Sequence, residues 1–264
     1  MGRASDALVF NRRTDQMAER YSILDVPVSV TSINDAVRKL ILWSCDDEGR
    51  FVCIRDVHGI MLAHDDPQIM AAHHAAAMVT PDGMPLVLIG RLRGLPVQRT
   101  AGADLMEAAM DTGRAHGLRH YLYGGAPGVA ELLQETFESK FPGVQIVGVE
   151  CPPFRLPTDT EAETTRQAIV QSGAHVVWVG LSTPKQEHWM LANHAMLPTT
   201  LLGVGAAFDF HSGRAKRAPM WMRKSGLEWL HRLISEPRRL WRRYLVLAPR
   251  FIALVLLDSL KGRR

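Results

Sequence analysis

The stretch His120-Tyr-Leu-Tyr-Gly-Gly-Ala-Pro-Gly-Val-Ala-Glu-Leu-Leu133 decides the fold class, because a short apolar run passes through a glycine-rich turn into a helical pattern. Residues 120–123 are typical of a strand, residues 124–128 form the turn, and residues 129–141 carry apolar side chains at helical spacing. A strand followed by a helix of ten to fifteen residues is the repeating unit of parallel α/β sheets. The stretch therefore predicts one such unit.

The same alternation recurs along most of the chain and predicts a Rossmann-like, mostly parallel sheet with helices on both faces. Further strands are predicted at 26–30, 51–54, 145–149, 175–181 and 200–208. Helices are predicted at 33–43, from 55 through 77, and at 83–92, 102–115, 158–172 and 184–195. After residue 214 the pattern changes to amphipathic helices interrupted by prolines. The predicted organisation is a polar N-terminal tail (1–20), an α/β domain (21–215) and a basic helical appendage (216–264).

The charge of the chain is divided unequally between these parts. Residues 214–264 contain 14 Lys and Arg and three acids, a net charge of +11. Since the whole chain carries +4, residues 1–213 carry −7. A basic end on a mildly acidic body indicates a polyanionic partner, either nucleic acid or an anionic membrane surface.

Several classes of protein and site are disfavoured by composition. The N-terminal residues are polar and lack the apolar core of a signal peptide. The sequence contains no run of about 18 apolar residues, so no membrane-spanning helix is expected. Cys45, Cys53 and Cys151 are odd in number and widely spaced, which argues against a disulfide framework and against zinc. No two aspartates lie two residues apart, and the histidines lack ligand spacing, so neither a metal nor a cofactor is expected.

Four segments that could bind a ligand or carry catalytic residues follow predicted strands. Ligands of doubly wound sheets bind at such strand ends. They are residues 124–128, residues 180–187, residues 203–213 and Thr80-Pro-Asp-Gly-Met-Pro85. Gly124 and Gly125 would let a phosphate approach the backbone and a helix N-terminus, although a lone glycine-rich turn is weak evidence. Gly203 and Gly205 lack the third glycine of a dinucleotide-binding fingerprint, which disfavours a nicotinamide-dependent oxidoreductase. Asp82, between Pro81 and Gly83, is typical of a simple turn, and the alternative is a turn that points a carboxylate into a cleft at the end of the sheet.

Taken together, the motifs resemble the WecG/TagA/CpsF family of glycosyltransferases over roughly residues 20–245. The resemblance rests on motifs in family order: PDGMPLV (81–87), QRTAGAD (98–104), YLYGGAPGVAELL (121–133), VGLSTPKQEHWM (179–190), GVGAAFDFHSGRAKRAP (203–219) and GLEWLHRLISEPRRLWRRYL (226–245). It implies an inverting enzyme of bacterial surface polysaccharide synthesis, of exopolysaccharide, capsule or teichoic-acid type. Such an enzyme moves a sugar from a UDP-sugar to a polyprenyl-diphosphate-linked saccharide on the cytoplasmic membrane face. The donor sugar is left open.

The resemblance also implies roles for individual residues. Asp82 matches the proposed catalytic base, and Arg99 and Gln186 match substrate-binding side chains. The Gly124-Gly125 turn corresponds to a nucleotide-contacting loop of the family. Apart from the resemblance, nucleotide contacts are also expected at Lys185, Glu187 and Gly205. Membrane or diphosphate contacts are expected at Arg214, Lys216, Arg217, Arg238, Arg239 and Arg242.

The sequence departs from the family pattern after the second predicted strand. The family usually shows Thr-x-Asn there, whereas this chain has Ile54-Arg55-Asp56. A hydroxyl is lost and a carboxylate replaces an amide, so Asp56 is both a substrate-binding candidate and a second candidate base. The departure also keeps open a catalytically inactive, nucleotide-binding scaffold subunit of a polysaccharide assembly complex.

The expected partners follow from the resemblance and the charge. They are a UDP-sugar donor, a lipid-diphosphate-linked acceptor and the anionic inner face of the cell membrane, with the protein cytoplasmic and peripherally bound. Basic residues alternate with Trp221, Trp229, Trp241, Tyr244 and Phe251, as suits a membrane interface. Nucleic acid is not expected, because no nucleic-acid-binding motif is present. A homo-oligomer is left open.

Overall fold

A computed structural model describes residues 19–261, which form an α/β fold with a six-stranded parallel sheet. The strands are β1 (Arg20–Ile23), β2 (Val26–Ser29), β3 (Arg50–Arg55), β4 (Met78–Pro81), β5 (Arg119–Gly124), β6 (Gln145–Glu150), β7 (Val176–Gly180) and β8 (Thr200–Gly203). The helices of the body are α1 (Ile33–Trp43), α2 (Val57–Asp65), α3 (Pro67–Ala75), α4 (Met84–Leu92), α5 (Gly102–Gly113), α6 (Val129–Lys140), α7 (Asp159–Ser172), α8 (Lys185–Asn193) and α9 (Ala207–His211). The predicted Rossmann-like fold class is confirmed. Residues 1–18 of the predicted N-terminal tail and residues 262–264 lie outside the described residues.

The sheet has the strand order β4-β3-β8-β7-β5-β6, and every neighbouring pair is parallel. All six carboxyl ends therefore meet at one edge. The chain passes from β3 to its outer neighbour β4, and then crosses to the other half of the sheet with β5. Ligands of open parallel sheets bind outside the carboxyl ends, where the strand order reverses. This topology brings the four segments predicted from sequence to the same edge.

Helices cover both faces because successive strand residues point to opposite sides. Val52 and Ile54 of β3 pack in one cluster with α1, α5, α6 and α9. Phe51 and Cys53 pack in another with α3, α7 and α8. A sheet buried on both faces explains why its strands are continuous apolar runs rather than alternating patterns.

The hairpin β1–β2 extends the core beyond the β4 edge of the sheet. Leu24 and Asp25 form its two-residue turn with φ of 50° and 66°, as the twist of tight hairpins requires. Its side chains pack with α2, α4 and Phe251 from the C-terminal helix. The hairpin is fastened to the sheet where Val79 N donates to the buried Ser29 Oγ at 3.1 Å.

Two sequence predictions about the body were wrong in detail, and one strand was missed. Helix was predicted through residue 77, but Asp66 caps a new helix at Pro67, and β4 begins at Met78. The strand predicted to reach residue 208 ends at Gly203, because the chain turns into α9. Strand β1 was not predicted.

The appendage consists of short helices packed along the body. They are α10 (Met220–Lys224), α11 (Glu228–Ser235), α12 (Pro237–Trp241), a π-helical stretch (Arg242–Leu247) and α13 (Ala248–Lys261). Phe251 of α13 is 3% exposed in the core, and Arg250 forms an ion pair with Asp65 at 2.5 Å. The opposite face of α13 leaves Ile252 and Leu256 exposed. The domain boundary near residue 215 stays a prediction.

Candidate active site

The two candidate residues, Asp82 and Asp56, lie on adjacent turns where β3 and β4 end. Asp82 N and Gly83 N both donate to Arg55 O, at 2.7 and 3.2 Å. Gly83 is pressed against Asp56, since a Cβ added at Gly83 would lie 3.1 Å from Asp56 Cα. The Pro81-Asp82-Gly83 turn is therefore a strand-to-helix connection that places Asp82 at the carboxyl edge of the sheet.

Asp82 is held through one carboxylate oxygen and is open at the other. Arg99 Nη2 donates to Asp82 Oδ1 at 2.8 Å, while Asp82 Oδ2 has no hydrogen bond within residues 19–261. The side chain is 33% exposed. Burial raises the pKa of Asp82 above its usual range, and the negative charge of Glu228 raises it further. Arg99 lowers the pKa, but by less than the other two effects raise it. A carboxylate with a raised pKa and a free oxygen has the properties of a general base.

Arg99 is positioned by an extended segment that lies along the end of β4. Thr100 N donates to Pro81 O at 2.8 Å, and Thr80 Oγ1 donates to Thr100 O at 3.2 Å. Arg99 Nε then reaches Asp82 O at 2.6 Å, and Arg99 Nη1 reaches Arg223 O at 3.4 Å. All three guanidinium nitrogens thus have protein partners. These contacts make Arg99 a clamp on Asp82, and its predicted substrate contact stays a prediction.

Asp56 has both carboxylate oxygens engaged. Oδ1 accepts from Gly59 N at 3.1 Å and caps α2, while Oδ2 is ion-paired with Arg243 of the π-helical stretch. Burial lowers the pKa of Arg243, and the nearby Arg55 lowers it further. An oxygen that caps a helix and an oxygen in an ion pair are poorly placed to accept a substrate proton. This arrangement favours Asp82 over Asp56 as the base.

A buried ion pair forms the floor beneath these carboxylates. Arg55, at the end of β3, is paired with Glu187 in the first turn of α8, and both side chains are at most 2% exposed. Arg55 Nη1 also donates to Thr183 Oγ1 at 3.2 Å. Glu187, a predicted nucleotide contact, is therefore placed in the interior with Arg55 as its partner.

Gln186 precedes Glu187 in α8 and shares Thr183 with this ion pair. It is 3% exposed, and its Nε2 donates to Thr183 Oγ1 at 3.4 Å. Its Oε1 is buried without a partner in the described part of the chain. A Cβ added at Gly205 would lie 3.5 Å from that oxygen, so Gln186 and Gly205 are brought together.

Gly124 at the end of β5 and Gly125 after it are required by backbone conformation and close packing. Gly124 and Gly125 have φ of 127° and 82°, which L side chains rarely adopt. A Cβ at Gly124 would lie 2.7 Å from the backbone carbon of Gly180 in β7. Close approach of β5 and β7 thus accounts for glycine here, and the nucleotide contact stays a prediction.

The remaining predicted side chains are basic, and all but Arg217 are exposed. Lys185 is exposed, with its Nζ 5.6 Å from the ring centre of Phe154 in the loop after β6. Arg217 forms two hydrogen bonds to Asp104, at 2.6 and 2.8 Å. The other basic candidates, Arg214, Lys216, Arg238, Arg239 and Arg242, have exposed side chains.

The residues that the appendage contributes to this edge were not predicted from the sequence. Glu228, Arg223 and Arg243 contact Arg99, Asp104 and Asp56 across more than 100 residues of chain. The only sequence signal was that Glu228 and Arg243 lie within the same motif, residues 226–245. Among residues 19–261, no group of three His, Cys, Asp or Glu could hold a metal ion. No helix in that range is long and apolar enough to cross a membrane.

Comparison with known proteins agrees with the resemblance found in the motifs. The sequence model of the glycosyl transferase WecG/TagA/CpsF family matches residues 21–264. The chain is also similar to the N-acetylglucosaminyldiphosphoundecaprenol N-acetyl-beta-D-mannosaminyltransferase of Bacillus spizizenii, with 31% identity over 215 residues and 80% of each chain covered. The chain therefore belongs to the WecG/TagA/CpsF family of glycosyltransferases.

Proposed function

We propose that this glycosyltransferase moves a sugar from a UDP-sugar to a lipid-diphosphate-linked saccharide, with inversion at the anomeric carbon and Asp82 as general base. The acceptor class is supported by the similar Bacillus spizizenii enzyme, whose name describes an N-acetylglucosaminyldiphosphoundecaprenol acceptor. The observation that carries the proposal is Asp82 itself, which lies at the carboxyl edge with Oδ1 on Arg99 and Oδ2 open.

The geometry supports a one-step displacement. Asp82 Oδ2 takes the proton of the acceptor hydroxyl while the acceptor oxygen forms its bond to the anomeric carbon. The bond from that carbon to the phosphate oxygen breaks, and UDP leaves with the electron pair. Proton transfer to a positioned carboxylate contributes about 10²–10⁴-fold to such a rate.

The growing negative charge on UDP requires positive groups near the carboxyl edge. Lys185 is exposed at the start of α8, where the positive end of the helix dipole also favours anions. Arg238, Arg239 and Arg242 of the appendage are exposed as well. These groups supply charge stabilisation through the protein's own side chains.

The experiment that tests the proposal is UDP release from a panel of UDP-sugars with lipid-diphosphate-linked saccharides in detergent. Release that requires both donor and acceptor, and that persists in EDTA, is expected. Acceptor-independent release would contradict the transfer reaction. Absence of release with every donor and acceptor would favour the scaffold hypothesis.

We also infer that the appendage binds an anionic membrane surface, where a lipid-linked acceptor resides. Large apolar side chains are exposed along it, interleaved with arginines: Trp221, Trp229, Ile234, Trp241, Leu245, Ile252, Leu256 and Leu260. Ile252, Leu256 and Leu260 recur every four residues and so share one face of α13. Interfacial helices combine such an apolar face with basic residues, each worth about 1 kcal/mol near an anionic leaflet.

Membrane binding is expected to weaken when this face of α13 is made polar. The double variant Ile252→Asp/Leu256→Asp should lower partitioning to anionic vesicles at least tenfold, because burying each such side chain is worth about 1.5–3 kcal/mol. Cosedimentation measures the change, and Val170→Asp on the exposed face of α7 is the matched control. Unchanged partitioning of the double variant, or equal binding of wild type to neutral vesicles, would contradict this inference.

A further inference from the structure

Arg99 is shared between two carboxylates that come from different parts of the chain. Its Nη2 donates to Asp82 Oδ1 at 2.8 Å and to Glu228 Oε2 at 2.7 Å. Glu228 lies in the first turn of α11, and its side chain is only 12% exposed. A carboxylate buried to this extent needs partners, and Arg99 is the closer of the two it has.

The second partner of Glu228 forms a looser ion pair with its other carboxylate oxygen. Arg217 Nε lies 3.6 Å from Glu228 Oε1, and Arg217 is itself held by two hydrogen bonds to Asp104 in the first turn of α5. Arg223 approaches the same Asp104 at 3.3 Å. Three carboxylates and three guanidinium groups therefore alternate from Asp82 to Arg223. These alternating ion pairs hold Glu228 near Asp82 through Arg99.

The charges that face Asp82 come from three elements. Arg99 lies in the segment before α5, whereas Glu228 and Arg232 lie on α11, and Arg217 lies in the segment before α10. Arg99 alone would stabilise the ionised carboxylate of Asp82 and lower its pKa. Asp82 would then be a weaker base, since basicity falls with pKa. Glu228 offsets part of that interaction, because its negative charge lies on the same Arg99 nitrogen and makes the ionised form of Asp82 less favourable. Burial, opposed by Arg99 and assisted by Glu228, leaves the pKa of Asp82 above its usual range.

We propose that Glu228 is a positioning residue for the transfer reaction: it holds the Arg99 guanidinium between its own carboxylate and Asp82, so that Arg99 orients the base without neutralising it. This inference rests on the proposed function of Asp82. Glu228 touches neither the reacting hydroxyl nor the donor in this arrangement. It acts through Arg99, so its loss alters the basicity of Asp82 rather than the binding of substrate.

The test compares Glu228→Gln with wild type and with Glu236→Gln. The glutamine keeps the size of Glu228 and an oxygen that accepts from Arg99, but it removes the charge. Glu236 is an exposed acid of the same appendage whose ion pair is with Arg239, three residues away. The first measurement does not depend on activity. It is the NMR titration of the Asp82 carboxyl carbon in protein labelled with ¹³C-aspartate, with the resonance assigned by its loss in Asp82→Asn.

The titration midpoint of the Asp82 carboxyl is expected to fall by about one pH unit in Glu228→Gln, because the variant removes one nearby negative charge. It should stay unchanged in Glu236→Gln and return toward the wild-type value in Glu228→Asp. Because the base works deprotonated, the acidic limb of kcat/KM should move to lower pH by the same amount. We expect kcat on the plateau to fall roughly three- to tenfold, with KM for the donor nearly unchanged.

An unchanged or raised Asp82 midpoint in Glu228→Gln would overturn the inference, even if the variant were less active. If Glu228→Gln does not fold, Glu228→Asp decides the matter, because its shorter side chain should weaken the contact to Arg99 and give a smaller downward shift. The proposed function fails separately, when wild type shows no acceptor-dependent release of UDP. The titration then still reports whether Glu228 controls Asp82.

Discussion

Replacement of Asp82 by asparagine is expected to lower the rate of acceptor-dependent UDP release by about 10²–10⁴-fold, the usual contribution of a general base. The amide keeps the size of the side chain and can still accept from Arg99 through its oxygen. It cannot take a proton from the acceptor hydroxyl at Oδ2, the oxygen that is open in the native site. The loss should appear in kcat, measured with saturating donor and acceptor, because the base acts on the transition state.

Asp56→Asn is the matched comparison, since Asp56 is the neighbouring carboxylate. Its amide oxygen can still cap α2 through Gly59 N, and the substitution removes only the charge that faces Arg243. We therefore expect this variant to retain most of its kcat. If Asp56→Asn abolishes release and Asp82→Asn does not, the assignment of the base is wrong although the reaction class stands.

The sequence is sufficient to predict the parallel sheet, because each βα unit carries its own local signals. The stretch around Gly124 and Gly125 combines an apolar run, turn glycines and a helical pattern within about twenty residues. A strand was expected to end before Asp82, but the bounds of β4 were not predicted, because Met78–Pro81 is only four residues long and follows an alanine-rich run typical of helix. Its strand character depends on pairing with β3, which no local window contains.

The candidate site was predictable only in the part that lies at strand ends. Asp82, Gln186 and Gly205 follow strands directly, so the rule that ligands bind at carboxyl ends was enough to bring them together. The partners of the base were not predictable in this way. Glu228 lies 129 residues from Arg99, and Arg243 lies 187 residues from Asp56. Such pairings depend on where the appendage packs, and its charge pattern alone predicted a solvent- or membrane-facing surface.

Glu187→Gln is expected to destabilise the protein by about 3–5 kcal/mol, the usual effect of removing one partner from a buried ion pair. Arg55 and Glu187 are both at most 2% exposed, so the substitution leaves the guanidinium of Arg55 charged and buried without a counter-ion. Thr183 Oγ1 would still accept from Arg55, but a neutral hydroxyl does not balance the charge. The free energy of unfolding, measured by urea denaturation, reports the change.

The surface pair of Arg166 and Glu163 provides the control for this prediction. Its atoms approach to 2.7 Å, yet the side chain of Glu163 is 52% exposed. Because solvent screens such a pair, Glu163→Gln should leave the free energy of unfolding nearly unchanged. Equal destabilisation by Glu163→Gln and Glu187→Gln would contradict the argument from burial.

The double variant Arg55→Met/Glu187→Met separates the stability of the pair from its effect on the site. Removing both charges avoids an uncompensated ion, so most of the stability lost in Glu187→Gln should return. Gln186 and Thr183 lie directly beside the pair, and the buried Oε1 of Gln186 has no partner among residues 19–261. If the double variant is stable but binds UDP more weakly than wild type, then the ion pair also orients Gln186. If it is stable and binds UDP normally, the pair serves the fold alone, because an apolar floor holds Gln186 equally well.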